Sequence, residues 1–106
     1  MYMIFIDGET KAGKKDEFLK AWSSQILPLL KKQDGFVDEI LLYEEGSQKP
    51  CGLCFWKTKQ QAERYRREVF PQAKKFVEHL LTGTPKLRGF EVKAAETFNV
   101  TARKAA

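Results

Sequence analysis

Pro50 to Tyr65 reads PCGLCFWKTKQQAERY, an apolar run that passes into a helical pattern at one polar residue. Cys51 to Lys57 has the length and content of a buried strand, and Thr58 then stands where a helix N-cap belongs, ahead of Gln60 and Gln61. In a strand, Leu53 and Phe55 point one way while Cys54 and Trp56 point the other. Both sides of the pleat are apolar, so both faces of the sheet need cover.

The stretches around this one complete a pattern. Upstream, Phe36 to Glu44 alternates as a strand, with Val37, Glu39, Leu41 and Tyr43 on one side and Phe36, Asp38, Ile40, Leu42 and Glu44 on the other. Gly46 and Ser47 in the loop Glu45–Lys49 turn it back into the central run as a hairpin. Further upstream, Tyr2 to Asp7 places Tyr2, Ile4 and Ile6 against Met3, Phe5 and Asp7. The turn Gly8–Gly13 leads to a helix from Lys14 or Lys15, whose Leu19, Trp22, Ile26, Leu29 and Leu30 form an apolar stripe. Pro28 is expected to bend that helix, and Asp34–Gly35 to end it.

Downstream, the helix from Lys59 carries Ala62, Tyr65 and Val69 on one face, and Pro71 is expected to break or kink it. A second helical piece follows with Ala73, Phe76, Val77, Leu80 and Leu81, while His79 falls off the stripe and reads as a surface residue. Thr82–Pro85 is a loop, Phe90 to Val100 a last strand. The expected organisation is a single domain over residues 1–100 and a frayed tail over 101–106.

Strand, helix, strand, strand, helix, strand is the ferredoxin-like βαββαβ order, an α+β fold with an antiparallel sheet and both helices on one face. The other face would then be an exposed apolar surface. A second copy packed sheet against sheet covers it most simply, giving a homodimer with an eight-stranded, barrel-like core. A ligand would lie inside each subunit, between sheet and helices.

Composition narrows the function classes. The 106 residues carry a net charge of +5, but the basic residues are spread along the chain and mostly interleaved with acids. No segment matches the aromatic strand motif of a ferredoxin-like RNA-binding domain, so no nucleic-acid partner is expected. No apolar run approaches the ~20 residues of a membrane span. Asp7 and Glu9 interrupt the N-terminal apolar run, which does not read as a signal peptide, so a cytoplasmic protein is expected. Cys51 and Cys54 form a C-x-x-C, but in a strand their side chains face opposite ways with Cα atoms ~10 Å apart, beyond the ~7 Å reach of a disulfide. With one histidine in the chain, zinc lacks ligands, and two reduced cysteines are the reading.

Phe55–Trp56, the Lys-Thr-Lys-Gln helix start and Ala62-Glu63-Arg64-Tyr65 resemble the antibiotic biosynthesis monooxygenase family of dimeric α+β barrels. The Gly13 turn, the helix with Phe18 and Trp22, the Ile26-Leu27-Pro28 run and Gly35-Phe36-Val37 are similar to that family as well, so the likeness spans almost the whole chain to Val100. The resemblance implies a monooxygenase that uses neither metal nor flavin and acts on a small electron-rich aromatic of quinol or anthrone type. There the substrate supplies the electrons: once deprotonated, it reduces O2 inside a closed apolar pocket. On this reading Asp7 and Tyr65 are the catalytic candidates, Asp7 provided that its side of the first strand faces the helices, and Trp22, Trp56 and Phe76 are pocket walls.

Two other readings stay open. The haem-degrading branch of the family uses an Asn, a Trp and an axial His, and the positions that correspond through Trp56 are Asp7, Tyr65 and Lys75, with His79 one turn beyond. All three differ. The second is a non-catalytic dimeric small-molecule-binding protein that keeps the barrel alone.

Overall fold

The structure, a computed structural model, describes residues 1–100, and the tail expected over 101–106 lies outside the described residues. Four strands, β1 (Tyr2–Asp7), β2 (Phe36–Tyr43), β3 (Pro50–Trp56) and β4 (Lys86–Glu91), form one antiparallel sheet in the order β2-β3-β1-β4. This is the α+β, ferredoxin-like arrangement that the order of elements predicts. Ile4, Cys54 and Trp56 point from the sheet into the core, where Phe18, Leu30, Tyr65 and Val69 of the helices meet them. Both helical arms therefore pack on one face.

The first arm, residues 15–31, is α1 (Lys15–Ala21), a π-helical turn (Trp22–Ile26) and α2 (Leu27–Lys31). The second, residues 59–75, repeats the plan with α3 (Lys59–Arg64), a π-helical turn (Tyr65–Val69) and α4 (Phe70–Lys75). Thr58 caps the second arm as expected, its Oγ1 accepting from the Gln61 N–H at 3.1 Å. Neither proline breaks its helix. Each stands at the start of an α segment just after the wide turn, which takes up the missing N–H and the ring's clash with the preceding turn. Leu27 N–H bonds back to Trp22 O, and Phe70 N–H to Tyr65 O, five residues in each case.

The wide turns also decide which side chains are inside. Phe18, Ile26 and Leu30 are buried on the first arm, whereas Leu19, expected in the stripe, is half-exposed. On the second arm and the turn that follows it, Tyr65, Val69, Ala73 and Val77 are buried at a constant spacing of four, and Phe76 is turned out to 36% exposure. A stripe spaced by four drifts around a regular helix of 3.6 residues per turn, and an inserted wide turn holds it in line.

Two strands depart from expectation. In β2 a bulge between Phe36 and Asp38 lets Phe36 face inward with Glu39 and Leu41, so Phe36 meets Trp56 edge-on at 5.7 Å. The last strand begins at Lys86 and stops at Glu91, instead of running from Phe90 to Val100. Its partner β1 begins at Tyr2, opposite Glu91, and the bond from Val92 N–H to Met1 O is the last between them. The chain then closes a turn from Ala95 to Val100 and lays Phe98 on Phe55 of the outer face, with ring centroids 4.7 Å apart.

Candidate active site

A cavity of about 70 Å³ lies between the inner face of the sheet and the two arms. Ile6, Glu39, Leu41 and Gly52 form its sheet side, and Trp22, Tyr65 and Phe70 of the helical arms, with Val77 in the turn after the second, are among the residues opposite them. Gly52 makes room for it: a Cβ there would stand 3.4 Å from Glu39 Oε1 and 3.6 Å from the Ile6 side chain. At one end Gly8, Leu81 and Pro85 close the wall. That end is held by a ladder of backbone bonds, Thr10 N–H to Gln48 O, Lys11 N–H to Leu80 O and Thr82 N–H to Glu9 O.

Glu39 gives this apolar space its chemistry. It is 8% exposed, and burial lifts its carboxyl pKa to about 8, with the neighbouring Asp38 charge adding to the lift and the Trp22 indole N–H opposing it. Among the described residues, neither Glu39 Oε2 nor Trp22 Nε1 completes a hydrogen bond, although both atoms are buried. The indole N–H therefore stands near the Glu39 carboxyl without a full hydrogen bond, and a ligand oxygen that meets both groups would complete each. Glu39 also sits opposite the buried Cys54 across β2 and β3, and that thiol is pushed far up by burial, so it stays neutral.

Trp22 and Tyr65 are each the first residue of a π-helical turn, and each stands six positions ahead of a proline. Such turns are frequent at functional sites, because they re-aim a side chain without breaking the helix. Tyr65 is 2% exposed and stacks on Trp56 at 5.0 Å, with the planes 30° apart. Burial, with Cys54 and Glu39 beside it, holds its phenol well above the usual value, so Tyr65 is a neutral hydrogen-bond donor.

Of the residues singled out in the sequence, Trp22 and Tyr65 come together at this cavity. Trp56 does not line it; it is 1% exposed and supports Tyr65 from beneath. Phe76 lies in an open groove on the solvent side of the arms with Lys20 and His79. Asp7 is exposed, and its side of β1 is the one that faces away from the helices, since Ile4 and Ile6 take the inward positions. Sequence reasoning passed over Glu39. Its signal is a single carboxylate flanked by Leu41 and Tyr43 on one side of a strand, and it is masked because the other side, with Ile40 and Leu42, is as apolar.

A haem does not fit this arrangement. His79 and Lys75 are exposed and line the outer groove rather than the cavity, and a cavity of about 70 Å³ is far below the size of the macrocycle. Among the described residues no group of three His, Cys, Asp or Glu side chains is placed to hold a metal ion, and no helix is long and apolar enough to cross a membrane.

No family model and no curated protein sequence matches the chain. Solved structures do. A "putative antibiotic biosynthesis monooxygenase" from Bordetella bronchiseptica superposes with a TM-score of 0.72 at 16% identity, over 86% of this chain and 95% of that one. SnoaB, a cofactor-independent oxygenase from Streptomyces nogalater, gives 0.70 at 19% identity, over 89% and 95% of the two chains. A protein of unknown function from Nitrosomonas europaea gives 0.74 at 18%, over 89% and 90%. The likeness read in Phe55–Trp56 and the helix after it is thus borne out along nearly the whole chain, and this protein has the fold of the antibiotic biosynthesis monooxygenases.

Proposed function

We propose that the protein is a cofactor-independent monooxygenase of a small electron-rich aromatic of quinol type, with the sheet–helix cavity as its active site. The observation that carries this reading is Glu39: a carboxyl group buried at the wall of an apolar cavity beside the Trp22 indole N–H, its Oε2 without a full hydrogen bond and its pKa raised to about 8. A general base works best with its pKa near the operating pH, and burial gives Glu39 that property. SnoaB, which shares the fold, is a cofactor-independent oxygenase, and this supports the same chemistry here.

In the proposed reaction Glu39 takes the proton of a ring hydroxyl, while the N–H of Trp22 and the O–H of Tyr65 steady the oxygen as it becomes negative. The anion passes one electron to O2, and the radical pair joins at a ring carbon that carries hydrogen. The peroxide then breaks at its O–O bond. One oxygen stays on the ring as a carbonyl, and the other leaves as water with the ring hydrogen and the proton returned by Glu39. Apolar walls keep bulk water from the anion.

Glu39 takes the place that the sequence suggested for Asp7. Oxygen uptake with a hydroquinone tests the assignment: Glu39→Gln keeps the size of the side chain and is expected to lower kcat by about 100-fold or more. In the unmodified protein kcat rises with pH towards the pKa of about 8. A Glu39→Gln variant with full kcat removes Glu39 from the mechanism, and no uptake with any quinol removes the oxygenase reading. The homodimer expected from the sequence belongs to the same proposal, since Ile40, Leu42 and Phe90 leave the outer sheet face apolar and open.

A further inference from the structure

The size of the cavity and the charges at its wall bear on which aromatic it takes. An apolar cavity that holds benzene measures about 150 Å³. The space here is about half that, at about 70 Å³, so a single ring already fills it. A fused three-ring anthrone exceeds that space by far more than one ring does, and it carries no anionic group.

Among the described residues Lys74 is the one basic residue that lines this cavity; it is half-buried and forms no ion pair with another described residue. It stands on α4, on the helix side, whereas Glu39 stands on the sheet. A ligand that meets both offers a hydrogen-bonding oxygen to Glu39 and an anion to Lys74. We propose that the cavity is built for a single-ring hydroxy-aromatic acid, its ring hydroxyl meeting Glu39 Oε2 and Trp22 Nε1 and its carboxylate meeting Lys74. Near neutral pH Glu39 is largely uncharged, so the incoming anion meets no opposing carboxylate. The inference rests on the oxygenase reading for the use made of the site, and its test reads binding alone.

Isothermal titration with 4-hydroxybenzoate, neutral 4-hydroxybenzyl alcohol and anthrone separates the cases. The benzoate is expected to bind about tenfold more tightly than the alcohol, the size of a charge contact at a half-buried site. Lys74→Ala should remove that preference and leave the alcohol within twofold, while Lys74→Arg restores it. Anthrone binding as tightly as the benzoate overturns the proposal, as does a benzoate affinity indifferent to Lys74→Ala, or the absence of saturable binding by all three probes. Benzoate binding with the expected Lys74 dependence, but no oxygen uptake on any phenol or quinol, sinks the oxygenase reading and leaves this inference standing. Turnover of anthrone without benzoate binding does the reverse.

Discussion

A carboxyl group moved from water to an apolar wall loses more hydration than any neutral neighbour returns, and Glu39 meets that cost by holding its proton. The consequence is a dependence of stability on pH. The folded pKa is about 8, while an unfolded Glu titrates near about 4.3. Between these values the folded chain keeps a proton that the unfolded chain has released, so stability falls as pH rises through the window, by up to about 1.4 kcal/mol per unit, and levels off above the folded pKa. Glu39→Gln does not titrate. It should match the parent in thermal unfolding near pH 5 and exceed it increasingly towards pH 8, and a constant difference across that range would show that Glu39 is not buried as described. Asp7 provides the contrast. It is exposed on the face away from the cavity, so Asp7→Ala should leave oxygen uptake unchanged. Both residues were visible in the sequence as carboxylates on alternating strands. What chose between them was which side of each strand faces the helices, and two-sided apolar strands do not reveal that. Gly52 belongs to the same scale: Gly52→Ala places a methyl 3.4 Å from Glu39 Oε1. It should fold at least as well, since Gly in a strand costs roughly 0.5–1 kcal/mol relative to Ala, yet bind hydroxybenzoate at least tenfold more weakly.

Each helical arm poses the same problem twice over, a proline in its interior and an apolar stripe spaced by four. The π-helical turns at Trp22–Ile26 and Tyr65–Val69 answer both. Whether proline or packing holds the turn open has a testable answer. Returning the second arm to regular α geometry would rotate one half against the other by about 100°, one residue's worth, and would expose either Tyr65 or the Ala73–Val77 side. The loss of several buried side chains at about 1.5–3 kcal/mol each outweighs one regained hydrogen bond at about 1 kcal/mol. Pro71→Ala is therefore expected to keep the wide turn. The near-ultraviolet signal of Tyr65 on Trp56 should persist, and a changed signal in a folded variant would assign the turn to the proline. The presence of both helices, the Thr58 cap and the positions of both prolines were legible from spacing alone. Phe76 was misplaced in the stripe because a 3.6-residue template does not allow for the extra residue in the turn, although the constant spacing from Tyr65 to Val77 records it.

At the scale of the molecule, the described residues close the sheet on one side only. The helices cover Ile4, Cys54 and Trp56, and the chain's own Phe98 covers Phe55. Ile40 and Leu42 on the edge strand β2 remain 38% and 46% exposed, and Phe90 on the opposite edge 42%. Isolated exposed apolar residues are ordinary, but these share the face with Phe5 and Leu53, which are only half-buried, and the resulting apolar surface reaches from edge to edge. The two-sided apolarity of Leu53–Trp56 already implied this surface before any geometry was known, so the need for cover is among the better-determined consequences of the sequence. A second copy placed sheet to sheet supplies the cover by symmetry, each edge strand meeting its equivalent patch. The protein is then expected to sediment as a dimer at micromolar concentration. The double substitution Ile40→Glu and Leu42→Glu points charges out of the outer face and away from the cavity, so it should give a monomer whose helical content is unchanged. It should also retain hydroxybenzoate binding, because Glu39, Trp22 and Lys74 all come from one subunit. A parent protein that sediments as a monomer would mean that this face is covered by something other than a second copy, whereas loss of ligand binding on dissociation would mean that the inner cavity depends on the outer contact.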